Sequence, residues 1–298
     1  MSARSSKRVI ITGDDFGLAL PVNEAIELAF REGVLTTTSL LVGEAAAGDA
    51  ILRAQRNPTL CVGLHLAVCD GRPTLPAGDI PLLVNARGEL RHPVLALLCF
   101  LVLGWLPALR AQLEAEIRAQ FESFRGAGLA FDHVNGHNNM QLHPVVLPML
   151  MRVAREYGVT AVRVPYEPLL ASWRAGGSGF VLRFSVWLVM RPWSAYVRRR
   201  LRRAGFVVND FLFGIFDCGS MDRALLRRVI EHLPDGLSEI HCHPATRRCV
   251  ELDKNMANYG HEAELFALTD PDVRAALETG KVRPVAGYSD LLVRDPQS

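Results

Sequence analysis

Two adjacent aspartates and a histidine stand where short apolar runs of the sequence end. Asp14 and Asp15 follow the β-branched run at 9–12, and His65 lies near the end of the apolar run at 60–66. Neighbouring carboxylates repel each other unless a cation or a proton separates their roles. An aspartate with two histidines suits an open divalent-metal site, so this pattern indicates metal-assisted acid–base chemistry. The structural alternatives are a helix cap at the aspartates and a satisfied core histidine at His65.

A histidine-rich segment follows another predicted strand. It contains His133, His137 and His143 together with several amide side chains. We expect Gly136 to let the backbone turn there, so that His137 points into a site. A merely polar surface loop is the alternative.

Two later predicted strands also end in polar side chains. Arg163 could hold a carboxylate through a bidentate pair, although a structural salt bridge explains its position equally well. The alternation of an extended chain sends His241 and His243 to one face. Because ligands bind at the carboxyl edge of a parallel sheet, polar groups at several strand ends indicate one site.

Strands and helices alternate along most of the chain. We predict strands at 9–12, 36–42, 60–66, 131–134, 160–164 and 238–241, with a loop at 13–17. We predict helices at 21–33, 49–56, 111–125, 145–157, 224–232, 263–268 and 271–280. This order predicts a parallel α/β fold, a barrel or a doubly wound sheet, and one domain over residues 1–298.

Composition excludes several classes of protein. The 298 residues are 49% hydrophobic and 21% charged, which excludes a disordered or low-complexity chain. A net charge of only +2 gives no field for nucleic acid. No signal peptide is evident at the N-terminus and no cysteine pair has zinc-knuckle spacing, so we expect free thiols in the cytoplasm.

Two apolar insertions, near 90–112 and 168–209, interrupt the α/β pattern. Residues 93–109 include no charged side chain, and 168–209 contain eight arginines and no acidic residue. Apolar anchors beside arginines are typical of monotopic membrane contacts. We therefore expect 93–109 and 180–203 to bind the inner face of a membrane peripherally. The alternative is that the insertions pack together as a cap or a homodimer interface.

The motifs at 12–17, 63–66, 135–137 and 242–244 resemble, in this order, those of the YdjC-like carbohydrate deacetylases. That family is related in design to NodB-type polysaccharide deacetylases. Within it, the chain is most similar to the deacetylases associated with hopanoid biosynthesis. The resemblance implies a (β/α) barrel, distorted or incomplete, that carries two apolar cap insertions.

The resemblance also implies a role for individual residues. Asp15, His65 and His137 would bind the metal, with Asp14 as the general base and His243 as the general acid. Substrate-binding positions would be Arg163, Tyr166 and Asn138, with Arg163 positioning either Asp14 or the substrate. The third motif departs from its relatives, because Asn139 and Gln141 stand where others carry histidine.

The implied reaction is hydrolysis of an N-acetyl group on an amino sugar, with an N-acetylglucosaminyl hopanoid lipid as the expected substrate. One divalent metal would assist it, zinc being the best match to the ligand types, while magnesium and other divalent ions are also admitted. The alternatives are a chito-oligosaccharide deacetylase and a non-catalytic lipid- or isoprenoid-binding protein. A phosphatase or phosphodiesterase would need more metal-bridging carboxylates than the sequence offers.

Overall fold

Seven parallel strands form one curved sheet in the computed structural model, which describes residues 7–293. The strands are β1 (Lys7–Phe16), β2 (Thr37–Leu40), β3 (Cys61–Leu66), β4 (Val134–Gly136), β5 (Phe211–Phe213), β6 (Gly236–Cys242) and β7 (Arg283–Pro284). Their order across the sheet is β4-β3-β2-β1-β6-β5, and β7 pairs with the beginning of β1.

Helices connect the strands and cover the sheet. In the part of the chain that the structure describes they are α1 (Leu20–Glu32), α2 (Ala47–Arg56), α3 (Pro93–Leu103), α4 (Pro107–Gly126), α5 (Val146–Glu156), α6 (Leu169–Gly176), α7 (Phe180–Arg203), α8 (Arg223–Glu231), α9 (Val250–Asn255), α10 (His261–Thr269), α11 (Pro271–Thr279) and α12 (Ser289–Val293). A 3-10 helix at His137–Leu142 directly follows β4.

Isolated bridges extend the sheet beyond β4 and towards β5. Val134 pairs in parallel with Val162, and Ala161 pairs with Val207, which precedes β5 by a few residues. The sheet therefore curls into a distorted (β/α) barrel, as the family resemblance implied. The predicted strand at 160–164 is wrong in extent, because only Ala161 and Val162 bridge to neighbours.

The central strand β1 is buried on both sides, and its residues Val9, Ile10 and Ile11 have no exposed surface. A parallel strand that is covered on both faces requires such an uninterrupted apolar run. Register then places the polar strand ends together, since Thr12 pairs with His241 across β1 and β6. In the same way His65 pairs with Asn135 across β3 and β4.

Two boundaries at the site differ from the sequence predictions. The loop predicted at 13–17 is wrong, because β1 continues to Phe16 with a register shift after Gly13. At this bulge Asp15 takes a left-handed φ of 64°, which turns successive aspartates in different directions. The strand predicted at 131–134 begins only at Val134 and extends to Gly136, and the short strands β5 and β7 were not predicted.

The two insertions form helices at the carboxyl edge of the sheet. The first consists of α3 and the start of α4, and the second consists of α6 and α7. Among residues 7–293, no helix combines the length and apolar content needed to cross a bilayer. The single-domain organisation stays a prediction. The absence of a signal peptide also stays a prediction, because residues 1–6 lie outside the described part of the chain.

Candidate metal centre

Three side chains from separate strand ends meet at one point. Asp15 comes from the bulge of β1, His65 from the end of β3, and His137 from the residue after β4. Asp15 Oδ1 lies 3.3 Å from His65 Nε2 and 3.2 Å from His137 Nδ1. The two ring nitrogens lie 3.3 Å from each other. The predicted metal ligands are thus brought together as a nearly equilateral triangle.

This triangle fits a tetrahedral metal. Bonds of about 2.0–2.1 Å to nitrogen and oxygen give ligand separations of roughly 3.3–3.4 Å, which the three distances match. Asp15 Oδ1 is buried and has no hydrogen-bond partner among the described residues. A buried carboxylate oxygen without a donor is costly, and a cation between these three atoms would satisfy it. The side chains face a cavity of about 170 Å³.

Neighbouring groups orient both histidines toward the centre of the triangle. His65 Nδ1 lies 2.6 Å from Asn135 Oδ1, an acceptor that fixes the ring proton on Nδ1 and leaves Nε2 with a free lone pair. On the other ring, His137 Nε2 lies 3.6 Å from the carboxylate of Asp70. Such partners hold ligating imidazoles in the required tautomer and orientation.

We expect the Asn135→Ala variant to bind zinc roughly 10- to 100-fold more weakly, because His65 loses the acceptor that fixes its tautomer. Competition with a chromophoric chelator measures this affinity. The matched control is Asn85→Ala, in a surface turn that is remote from the cavity. Wild-type zinc affinity in Asn135→Ala would show that the amide does not support the ligand.

Asp14 lines the same cavity and belongs to a buried network of charges. Arg163 donates to both of its oxygens, at 2.6 and 3.0 Å. Ser39 Oγ donates to Asp14 Oδ1 at 2.8 Å. Arg163 also donates to Glu239, which accepts a further bond from Tyr288. A fully buried arginine is thereby neutralised by two carboxylates.

The network controls the ionisation of Asp14. Burial raises the pKa of this carboxyl, but the charge of Arg163 and hydrogen bonds from His241 and Arg163 hold the pKa well below its ordinary value. Asp14 is therefore ionised at neutral pH although its neighbour Asp15 is also an acid. An ionised carboxylate at the cavity wall can accept a proton.

His241 and His243 lie side by side on the cavity wall, as the alternation of β6 predicted. Their rings make an edge contact with centroids 5.3 Å apart. Ligand atoms of Asp14, His241 and His243 lie within 4.8 Å of one another. The described residues thus hold a second Asp/His cluster beside the triangle, but its carboxylate is already paired with Arg163.

The remaining predicted site residues divide between two cavities. Arg163 lines the cavity of Asp15, His65 and His137, hereafter the metal cavity. Its guanidinium N–H groups donate to Asp14 and Glu239, so its role toward a substrate stays a prediction. Asn138 lines the same cavity. Tyr166 instead lines an adjoining apolar cavity of about 80 Å³.

Gly136 does not turn the backbone as predicted. Its φ of −132° is open to any residue, and the left-handed turn comes from Asn138 and Asn139. Glycine is required at this position for another reason, because an added Cβ would lie 2.4 Å from Gln141 Oε1. Close packing of Gly136 against Gln141 therefore helps to position the neighbouring His137.

Several residues of the site carried no signal in the sequence. Asp70 stands in a loop, Cys218 follows an irregular segment, and Tyr259 precedes a helix far from any of the motifs. All three line the metal cavity. A left-handed φ of 54° at Asp70 brings it to His137, and single-sequence patterns do not reveal such a turn.

Comparison with known proteins shows the family to which this chain belongs. The model of the YdjC-like proteins matches residues 8–279. The chain belongs to the YdjC-like family. The family predicted from the motifs is thus confirmed, whereas the hopanoid-associated subgroup stays a prediction. The match includes all eight predicted site residues.

Relatives within the YdjC-like family include proteins named carbohydrate deacetylase. One from Vibrio parahaemolyticus is 32% identical over 96% of this chain and 96% of its own length. Another, from Brevibacillus brevis, is 35% identical, but the alignment spans 53% of this chain and 60% of that protein.

A solved structure shares the fold. It is a protein of Enterococcus faecalis for which cellobiose-phosphate cleavage has been suggested, and it superposes with a TM-score of 0.72. The superposition covers 96% of this chain and 99% of that one, at 23% identity. At this identity the similarity is evidence for the fold alone.

Proposed function

We propose that this protein is a metal-dependent deacetylase that removes the N-acetyl group of an amino sugar carried on a lipid. The observation that carries the proposal is the tetrahedral spacing of Asp15, His65 and His137 in a cavity that also holds an ionised carboxylate and a histidine. Relatives of this chain are named carbohydrate deacetylases, which supports the reaction class. The lipid that we favour is a hopanoid, to which the sequence resemblance points.

The residues of the cavity divide the work of amide hydrolysis. A divalent ion held by Asp15, His65 and His137 supplies Lewis acidity and a lowered pKa of water. Asp14 accepts the proton of the attacking water, and Arg163 keeps this base ionised. His243 gives a proton to the departing amine, which is a very poor leaving group without it.

An apolar cavity adjoins the metal cavity and suits the aglycone of such a substrate. Asn139 lines both cavities, so they meet at the segment that follows His137. Tyr166, Trp187 and Phe216 contribute aromatic surface to the apolar one. Half-buried aromatic walls favour an apolar ligand over a second hydrated sugar.

The two insertion helices α3 and α7 carry many exposed apolar side chains, which we call the rim. Phe100 of α3 packs on His143 with ring centroids 5.6 Å apart, and Trp193 of α7 donates to the carbonyl of Leu142 at 3.0 Å. Both insertion helices are thus anchored to the segment that follows the metal ligand His137. The side chains on or next to α3 and α7 that are more than half exposed are Val94, Leu95, Leu98, Leu101, Val102, Trp105, Val181, Leu182, Leu188 and Val189.

This rim supports peripheral contact with the inner face of a membrane, which we include in the proposal. Exposed apolar side chains in such number on two helices indicate an interaction surface. Arg199 and Arg203 are exposed at the end of α7, and each arginine near an anionic leaflet contributes about 1 kcal/mol. A lipid-linked sugar could then reach the metal without leaving the bilayer.

We expect wild-type protein to float with vesicles that contain phosphatidylglycerol, and a rim variant to float at least about tenfold less, because each apolar side chain withdrawn from water contributes roughly 1.5–3 kcal/mol. The rim variant carries Leu101→Ser, Trp105→Ser, Val181→Ser and Val189→Ser. All four side chains are largely exposed, so the fold should tolerate the changes.

A matched control carries Leu52→Ser and Phe266→Ser, two exposed apolar positions on α2 and α10 that lie outside the rim. It should float as the wild type does. Equal flotation of the wild type and the rim variant would contradict membrane contact and favour a cap or a dimer interface.

Mass spectrometry of candidate substrates tests the reaction itself. The purified protein, loaded with zinc, is incubated with an N-acetylglucosaminyl hopanoid and separately with chito-oligosaccharides. We expect the glycolipid to lose one acetyl group faster than the free oligosaccharide. Faster deacetylation of the oligosaccharide would favour the chitin-type substrate, and tight binding of the lipid without any reaction would favour a lipid carrier.

A further inference from the structure

A thiol lies behind the histidine that would protonate the leaving amine. Cys218 Sγ is 3.8 Å from His243 Nδ1, within reach of a sulfur hydrogen bond, and it is 3.1 Å from Tyr259 Oη. It is the only partner that the structure gives to the His243 ring nitrogens among the described residues. The backbone N–H of His243 donates separately to Glu264.

The loop that carries Cys218 is locked in place. Gly219 has a φ of 74°, and an added Cβ would lie 2.2 Å from the ring of Tyr259. Gly260 N donates to Gly219 O at 2.7 Å, which ties the loop to the residue after Tyr259. The Tyr259 ring in turn makes an edge contact with His243, at a centroid distance of 5.4 Å. The packing leaves Cys218 facing Nδ1.

This arrangement matters for proton donation. Imidazole donates from one nitrogen reliably only when the proton on its other nitrogen has an acceptor. Catalytic and ligating histidines usually use a carboxylate or a carbonyl for this purpose. No carboxylate oxygen of a described residue lies within hydrogen-bond distance of His243 Nδ1, where the sulfur stands instead.

We propose that Cys218, supported by Tyr259, is a positioning residue that accepts the Nδ1 proton of His243 and so directs Nε2 toward the scissile amide. The inference rests on the proposed deacetylase function, in which His243 is the acid. Cys218 itself touches neither the substrate nor the metal in this account. Its contribution is orientation, and it acts only through His243.

Kinetics of paired variants test this role. In Cys218→Ala we expect kcat to fall roughly 10-fold, part of the 10²–10⁴ that a general acid contributes, while KM and zinc content stay unchanged. Cys218→Ser, whose hydroxyl also accepts a hydrogen bond, should recover most of kcat. Cys61→Ala, at the opposite edge of the sheet, is the matched control and should behave as the wild type.

A double variant separates positioning from general damage to the fold. If Cys218 acts through His243, adding Cys218→Ala to His243→Ala should cause no further loss. Full additivity of the two changes would overturn the proposal, as would wild-type kcat in Cys218→Ala. An equal loss in the serine and alanine variants would overturn it too.

Nitrogen NMR of the imidazoles gives a readout that does not depend on turnover. The signal of His243 is assigned by its loss in His243→Ala, and its Nδ1 resonance should shift in Cys218→Ala but not in Cys61→Ala. An unchanged resonance would overturn the inference. The resonance could shift in Cys218→Ala although the wild type deacetylates no sugar. In that case the proposed function fails while the contact between Cys218 and His243 stands.

Discussion

The His137→Ala variant is expected to lose its metal and its deacetylase activity together. It removes one of three protein ligands, and Asp15 Oδ1 and His65 Nε2 alone define only one edge of the tetrahedron. The loss of zinc affinity should therefore exceed the roughly 10- to 100-fold that a supporting residue contributes. Metal analysis after gel filtration and acetate release under the same conditions measure both effects.

His232→Ala is the matched control for this prediction. His232 directly follows α8, its Nδ1 lies 2.8 Å from the carbonyl oxygen of Arg228, and it does not line the cavity. It should retain stoichiometric metal and wild-type turnover. Stoichiometric metal with normal turnover in His137→Ala would mean that the triangle is not the metal site.

The Asp14→Asn variant should retain the metal but lose catalysis by a factor of about 10²–10⁴ in kcat. An amide cannot accept the proton of water, whereas its oxygen can still accept hydrogen bonds from Arg163. Asp15→Asn is the informative comparison, because it makes the same chemical change at the adjacent residue, which is the proposed metal ligand. There we expect the metal to be lost as well as the activity.

The two aspartate variants also test the assignment of roles. Loss of metal in Asp14→Asn with retention in Asp15→Asn would mean that base and ligand have been exchanged. Thermal unfolding of both variants is a necessary companion measurement, because Asp14 pairs with a buried arginine. If only Asp14→Asn is much less stable than the wild type, its lower kcat would be a consequence of leaving buried Arg163 with one carboxylate partner, and not of losing the base.

Much of this fold can be predicted from the sequence, because the central strands are buried on both faces. Continuous apolar runs predict β1 and β3, and helical periodicity predicts α5 and α8. The short strand β5 is not predicted, because three residues are too few to show the alternation of a strand. The extent of β4 is also missed, since its residues Asn135 and Gly136 are a polar residue and a glycine, which strand propensities disfavour.

The site, too, can be predicted only in part. Motif residues at strand ends converge because parallel strands present their carboxyl ends at one edge. Supporting residues come from distant loops whose conformation no local pattern encodes. Asp70 reaches His137 through a left-handed turn, and Cys218 reaches His243 through a glycine that packs against Tyr259. Such residues become visible only when the chain has been folded.

Titration of metal-free protein with zinc, followed by acetate release, tests the central claim most directly. Acetate release should be absent without metal, rise in proportion to added zinc, and level off at one equivalent per chain. The Asp15→Asn variant should show no rise at that concentration. Full activity in metal-free protein would contradict the account, and a break at two equivalents would place a second ion at Asp14, His241 and His243.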